Sequence, residues 1–207
     1  PSQAVTKVGK RYNFFEFGGA YTSPVGSYDH IGIIDFFDEQ DILRSLDADQ
    51  AFDPSFSLHV ALGQLRDRVA ASIGGVYTSE NQFGELVVGD NLYGFGPQGA
   101  PVVPDFDQFD LRLNINYNLL DLSAVNFTPY VGLGAAVGMI AQSAEGYETE
   151  YEVNSLLSAN FGAEFKLWSS PDKRKFLTLA SVNSFDLLSS GYRPRNLNIG
   201  GAIKFYG

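Results

Sequence analysis

The sequence predicts an all-β chain: eight antiparallel strands, connected up and down and closed into a transmembrane β-barrel with long acidic external loops. Three observations predict it. Apolar and polar residues alternate with a period of two in segment after segment. Long and short connections alternate between those segments. The sign of the charge follows the length of the connection. Alternation is the mark of a strand with unlike faces, because successive side chains point to opposite sides.

The first strand is expected at 11–22, RYNFFEFGGAYT, with Phe15, Phe17 and Tyr21 on one face and Glu16 on the other. The second, 55–63, is SFSLHVALG, and the third, 68–79, is RVAASIGGVYTS. The fourth, 106–119, holds the clearest alternation of the chain, with Phe109, Leu111, Leu113, Ile115 and Tyr117 against Asp110, Arg112, Asn114, Asn116 and Asn118. The fifth, 128–141, places Gly132, Gly134 and Gly138 on one side. The sixth, 154–168, sets Leu157, Ala159, Phe161, Ala163, Phe165 and Leu167 against Ser158, Asn160, Gly162, Glu164 and Lys166. The seventh, 175–185, alternates poorly. The eighth, 195–206, sets Leu197, Ile199 and Ile203 against Asn196, Asn198 and Lys204.

The segments 23–54, 80–105 and 142–153 are long connections, whereas QLRD, LDLSAVNF and SSPDKRK are short ones; DLLSSGYRP is of middling length. Long loops on one side and short turns on the other are the layout of an outer-membrane barrel. Acidic runs fall in the long connections: Asp29, Asp35, Asp38, Glu39, Asp41, Asp47, Asp49 and Asp53, then Glu145, Glu148, Glu150 and Glu152. Basic clusters fall near the N-terminus (Lys7, Lys10, Arg11) and in two short turns (Arg66, Arg68; Lys173, Arg174, Lys175), with Arg193 and Arg195 as exceptions. A soluble sandwich has no reason to sort loop length and charge together.

Composition agrees. The 207 residues suffice for one barrel, read as a single domain over 1–207. Mean hydropathy is −0.06, as expected when half of every strand is polar. Nothing approaches the roughly 20 apolar residues of a spanning helix. There are 17 Phe, 11 Tyr and 22 Gly, which suits strands with aromatic girdles. Without cysteine there is no disulfide framework, thiolate metal site or thiol nucleophile. A net charge of −10 argues against nucleic acid as a partner. The first residues, PSQAVTKVGKRYNFF, lack the apolar core of an export signal, so an exported chain is expected to have lost one.

The lead-in and fifth strand, NFTPYVGLGAAVG (126–138), resemble the PYVGxGxG strand of OmpA-like and opacity-type small outer-membrane barrels. FFEFGGAY and NLNIGGAIKFY are similar to the first and last strands of that family. The chain departs from it in ending Phe205, Tyr206, Gly207, where such barrels usually end on an aromatic residue. The resemblance implies a bacterial outer-membrane location. Apolar faces then meet lipid and polar faces fill the lumen, with Glu16, Arg112, Glu164, Lys166 and Lys204 inside. Charges away from bulk water must pair or keep water. A network of ion pairs, with small water pockets at the glycines, is expected to fill a barrel only wide enough for its own side chains. The sharper alternative is that the network gates a narrow pore.

Other chemistry is weaker. Ser57 and His59 could suggest an acyl hydrolase. They stand in Ser-x-His order, the reverse of the His-x-Ser of lipid-modifying barrels, and parity turns both inward. His30 beside Asp29 lacks a placed serine. DADQAFD (47–53) and EGYETEYE (145–152) resemble cation loops only in acidity, without the glycine and terminal glutamate of an EF-hand. No cofactor or metal is expected. GPQGAPVVPD (96–105) reads as an external loop. The segment 28–46 is apolar for a loop; it continues the first hairpin, caps the barrel mouth or docks on a partner, with Phe36 and Phe37 as anchors in the last case. The expected role is non-enzymatic, structural or in surface interaction through loops 23–54, 80–105 and 142–153, with outer-membrane lipid and lipopolysaccharide as surroundings. The alternatives are a lipid-modifying barrel enzyme and, with inverted faces, a soluble ligand-binding barrel.

Overall fold

The computed structural model describes residues 10–25, 27–28, 46–47, 54–78, 87–88, 91–92, 105–143, 149–190 and 195–207. Eight long strands form one closed antiparallel barrel. They are β1 (Arg11–Val25), β2 (Ser55–Arg66), β3 (Val69–Thr78) and β4 (Asp105–Asn118), then β5 (Phe127–Ser143), β6 (Glu150–Ser169), β7 (Phe176–Ser189) and β8 (Arg195–Tyr206). Each strand pairs with its sequence neighbours, and β1 closes the barrel against β8, from Phe14↔Tyr206 to Val25↔Arg195. Closure leaves no edge strand, which a backbone in hydrocarbon requires.

The parity settles which face is inside. Leu111, Leu113 and Ile115 are 52–62% exposed, while Asp110 before them and Asn118 after them are 1% exposed. The same holds for exposed Phe15, Phe17 and Tyr21 against buried Glu16, and for exposed Ile199 and Ile203 against buried Lys204. In water each such apolar side chain would forgo roughly 1.5–3 kcal/mol of burial. A belt of them around the whole wall fits hydrocarbon as the surrounding medium.

Strand ends differ from the expectation in four places. β2 runs on through Gln64, Leu65 and Arg66, so the link to β3 is only Asp67 and Arg68. Two contacts extend it: Gln64 Nε2 donates to Asn13 Oδ1 at 3.0 Å, and Leu65 is buried in an apolar cluster. Asp67 takes a φ of 55° there, a left-handed conformation that aspartate tolerates. Much of the expected acidic loop 142–153 is strand, since Glu150–Val153 pair with Met139–Gln142, from Glu150↔Gln142 to Val153↔Met139. Tyr151 and Val153 carry the outward face of that extension. Of the loop 23–54, Ser23–Val25 continue β1, and Ser27–Tyr28 pair with Leu46–Asp47. In 80–105, Val87–Val88 pair with Asn91–Leu92, and Asp105 opens β4. Phe36, Phe37 and His30 lie outside the described residues, as do Asp49, Asp53 and 145–148.

The weakly alternating seventh strand is regular from Phe176 to Phe185. Its ladder with β6 shifts register between Leu157 and Ser158 and between Lys166 and Trp168. The second shift leaves both Leu167 and Trp168 outside, at 53% and 50% exposure, where strict alternation would turn one inward.

Candidate functional site

The lumen is the candidate site, and it is built in layers. At the short-turn end an apolar cluster of Tyr12, Phe14, Leu65, Ala70, Leu122, Phe176 and Tyr206 fills the interior. Phe176 stacks on Tyr206 with ring centroids 4.3 Å apart, and Tyr12 meets Phe176 edge-on at 5.0 Å. The strand residues among them face inward because they fall on the same parity as the lumen charges, and Leu122 joins them from the β4–β5 turn. The resulting plug is as well buried as the core of a soluble protein.

Above the plug stands an ion cluster. Lys204 Nζ lies 3.0 Å from Glu16 Oε2 and 2.8 Å from Glu164 Oε1, so one ammonium bridges two carboxylates. Glu164 Oε2 accepts from the Tyr206 hydroxyl at 2.7 Å and from Thr178 Oγ1 at 3.2 Å. His59 Nε2 lies 2.9 Å from Glu16 Oε1. Lys204 also sits over the rings of Phe14 and Tyr130, at 5.5 and 5.4 Å from their centroids. A lysine in a dry interior needs several such partners to remain charged.

Toward the long-loop end the filling is polar and mostly neutral, with Asp110, Arg112 and Asp186 as its charged members. Asn160 Nδ2 donates to Asn114 Oδ1 at 2.9 Å and to Asn116 Oδ1 at 3.3 Å. Thr22 Oγ1 donates to Asn198 Oδ1 at 2.8 Å, and Asn198 Nδ2 donates to Ser184 Oγ at 3.0 Å. Along β4, Asp110 receives Gln108 Nε2 at 3.1 Å and lies 3.4 Å from Arg112 Nη2. A cavity of about 70 Å³ runs through this region, lined among others by His59, Arg112, Asn114, Thr22 and Asn198. Polar walls and that volume admit a few ordered waters.

Of the five charges read from the sequence, the fold brings Glu16, Glu164 and Lys204 together. Arg112 pairs along its own strand with Asp110. Lys166 stands apart, its Nζ 5.2 Å over the Phe176 ring near the short-turn end. The water pockets expected at Gly132, Gly134 and Gly138 are taken up by side chains. A methyl group at Gly138 would run into the Asp110 carboxylate, and one at Gly134 into Asn114 and Ser158. These glycines make room for cross-strand neighbours. Ser57 and His59 do not form a nucleophile pair: Ser57 Oγ donates to the Ala20 carbonyl at 3.3 Å, while His59 faces Glu16.

Sequence reasoning missed Tyr206 and Asp186 as members of the lumen, and left Asp110 out of the inward charges although it stands on the polar face of its strand. Tyr206 shares parity with Lys204, and Asp110 with Arg112, so the signal was present in both. Asp186 is fully buried and accepts from the Asn196 backbone N–H at 3.0 Å. It lies beyond the expected end of the seventh strand.

No protein-family model matches the sequence, and neither does any curated protein. Solved structures do match in fold. The crystal structure of Neisserial surface protein A superposes with a TM-score of 0.51 at 11% identity, over 94% of this chain and 95% of that one. A major outer membrane protein from Thermus thermophilus gives 0.51 at 10% identity, over 95% and 99%. With its closed eight-strand meander and apolar outer wall, the chain has the fold of the small OmpA-like outer-membrane β-barrels.

Proposed function

We propose that this is a non-enzymatic outer-membrane barrel that holds its acidic long connections on the cell surface for structural or binding roles. The observation that carries this reading is the filling of the lumen. The short-turn end is occupied by aromatic rings and by a lysine held between two glutamates. That arrangement suits a rigid anchor better than a conducting pore. The lipid-modifying alternative needs a nucleophile near the membrane face, whereas Ser57 and His59 both point into the lumen and contact other groups. The reading also takes outer-membrane lipid and lipopolysaccharide as the surroundings, and a further protein as the partner of 23–54, 80–105 and 142–153, where Phe36 and Phe37 are the anchors.

Two experiments test it. Protein refolded in detergent should migrate differently on SDS gels before and after boiling, and should aggregate without detergent. A monodisperse, detergent-free protein would overturn the barrel's orientation toward lipid. Lipid A from expressing cells, analysed by mass spectrometry, should be the same with the native chain and with a His30→Ala/His59→Ala variant. A modification present only with the native chain would replace the anchor by an enzyme.

A further inference from the structure

On the outer wall at the short-turn end, two arginines stand where lipid should be. Arg11 and Arg66 are direct partners in the β1–β2 ladder, and both point outward. Their Cβ atoms are therefore roughly 5 Å apart, a separation at which like charges oppose each other. Among the described residues neither side chain takes part in a hydrogen bond or ion pair. Lys10 and Arg68 are exposed beside them, as is Asp67 in the turn. Arg68 is held toward the wall by its Nη1, which donates to the Leu119 carbonyl at 3.3 Å.

Beside this cationic pair the wall is grooved. Arg66, Asp67, Arg68, Val69, Ala71 and Tyr117 are among the residues that line a shallow depression. A second depression begins at the same Val69 and Tyr117 and continues along Ile115 and Leu133 toward the middle of the barrel. In register, Arg66 pairs with Val69 and Val69 with Tyr117, so charge passes into apolar surface within one row of strands. Cations at the level of the headgroups and an apolar trough beneath them are complementary to one kind of occupant.

We propose that this face binds an acidic phospholipid of the short-turn-side leaflet, its phosphate between Arg11 and Arg66 and an acyl chain along Val69, Ala71, Tyr117 and Ile115. The inference rests on the membrane-barrel reading above. The anion relieves the cross-strand repulsion, and a guanidinium pair matches phosphate oxygens in fork geometry. Lipopolysaccharide is the less suitable occupant, because it belongs to the leaflet on the long-loop side.

The test is native mass spectrometry of the full chain released from detergent after equilibration with equal amounts of dioleoylphosphatidylglycerol and dioleoylphosphatidylcholine. Retained phosphatidylglycerol should exceed phosphatidylcholine by about tenfold, as two arginines at a lipid surface provide. Arg11→Gln/Arg66→Gln should bring the ratio near one, while Lys173→Gln/Arg174→Gln, in the β6–β7 turn, should leave it intact. Ala71→Trp, which blocks the trough without changing charge, should also abolish retention and decides the matter if the arginine variant does not fold. A ratio near one in the native chain, or equal loss in the Lys173/Arg174 variant, would overturn the site. So would lipid A displacing phosphatidylglycerol at equal concentration. The heat-shifted gel band separates the two failures: without it the barrel reading falls, whereas with it only the lipid site does.

Discussion

The two halves of the lumen solve the same problem in opposite ways. The short-turn half is packed with rings and with an ion cluster in which every charge has a named partner. The long-loop half is lined mostly by asparagine, serine and threonine, with Asp110, Arg112 and Asp186 among them, around a cavity that reaches down to Glu16 and Lys204. In the first half, the low dielectric makes each ion pair strong and each broken pair costly. In the second, neutral groups can trade a lost protein partner for water at little loss. One barrel of uniform width therefore contains a region that should resist substitution and a region that should tolerate it.

The largest effect is expected at Lys204. Lys204→Met leaves Glu16 and Glu164 facing each other without their cation, and should cost on the order of 3–5 kcal/mol or prevent folding. Urea unfolding of the refolded barrel, followed by the gel-shifted band, measures it. Adding Glu16→Gln and Glu164→Gln should restore most of the loss; no restoration would mean that Lys204 acts through packing alone. Next comes the aromatic plug. Phe176→Ala removes the ring between Tyr12 and Tyr206 and should cost about 3–5 kcal/mol in the same assay.

In the other half, Asn198→Ala removes hydrogen bonds to Thr22 and Ser184. A loss of only about 1 kcal/mol is expected, since water from the cavity can replace them. A loss as large as that at Lys204 would erase the contrast between the halves. The smallest effects belong to the β6–β7 turn. Lys173 holds a φ of 55°, so Lys173→Gly should be neutral or stabilising by up to about 1 kcal/mol. In the same turn the Ser170 hydroxyl and then the Arg174 backbone N–H hold the Asp172 carboxyl below its usual range. A depressed carboxyl adds stability above its unfolded value and loses it as pH falls through the folded one. Ser170→Ala should move the Asp172 titration, followed by NMR, back up toward the ordinary aspartate range.

Much of this was legible from residue order. The alternation in 109–118 assigns Leu111 and Ile115 to one face and Asp110 and Arg112 to the other, and the barrel places them so. Glu16, Glu164 and Lys204 could be assigned to the interior by the same parity, although they lie on three different strands. Their meeting was not legible, because it depends on the stagger between strands. Pairing of Glu16 with Lys204 follows from the β1–β8 register, and contact with Glu164 from the inward reach of side chains across β7. The apolar plug was hidden for a related reason: Tyr12, Leu65, Phe176 and Tyr206 look like breaks in a polar face when each strand is read alone.

The long connections mark the other limit. The acidic composition of 142–153 reads as loop, yet Tyr151 and Val153 extend the hairpin until only 144–149 remain between β5 and β6. Charge says that a segment is solvated, and a strand beyond the membrane is solvated too. By itself, then, the sequence determined the period of two, the eight spans, the up-and-down order and, where the alternation is unbroken, the face a residue occupies, because all of these are local. Tertiary structure alone decided which charges meet, where the rings gather and where Arg11 comes to face Arg66. Those depend on register and closure, which bring together residues far apart in the chain and leave no trace in any one strand.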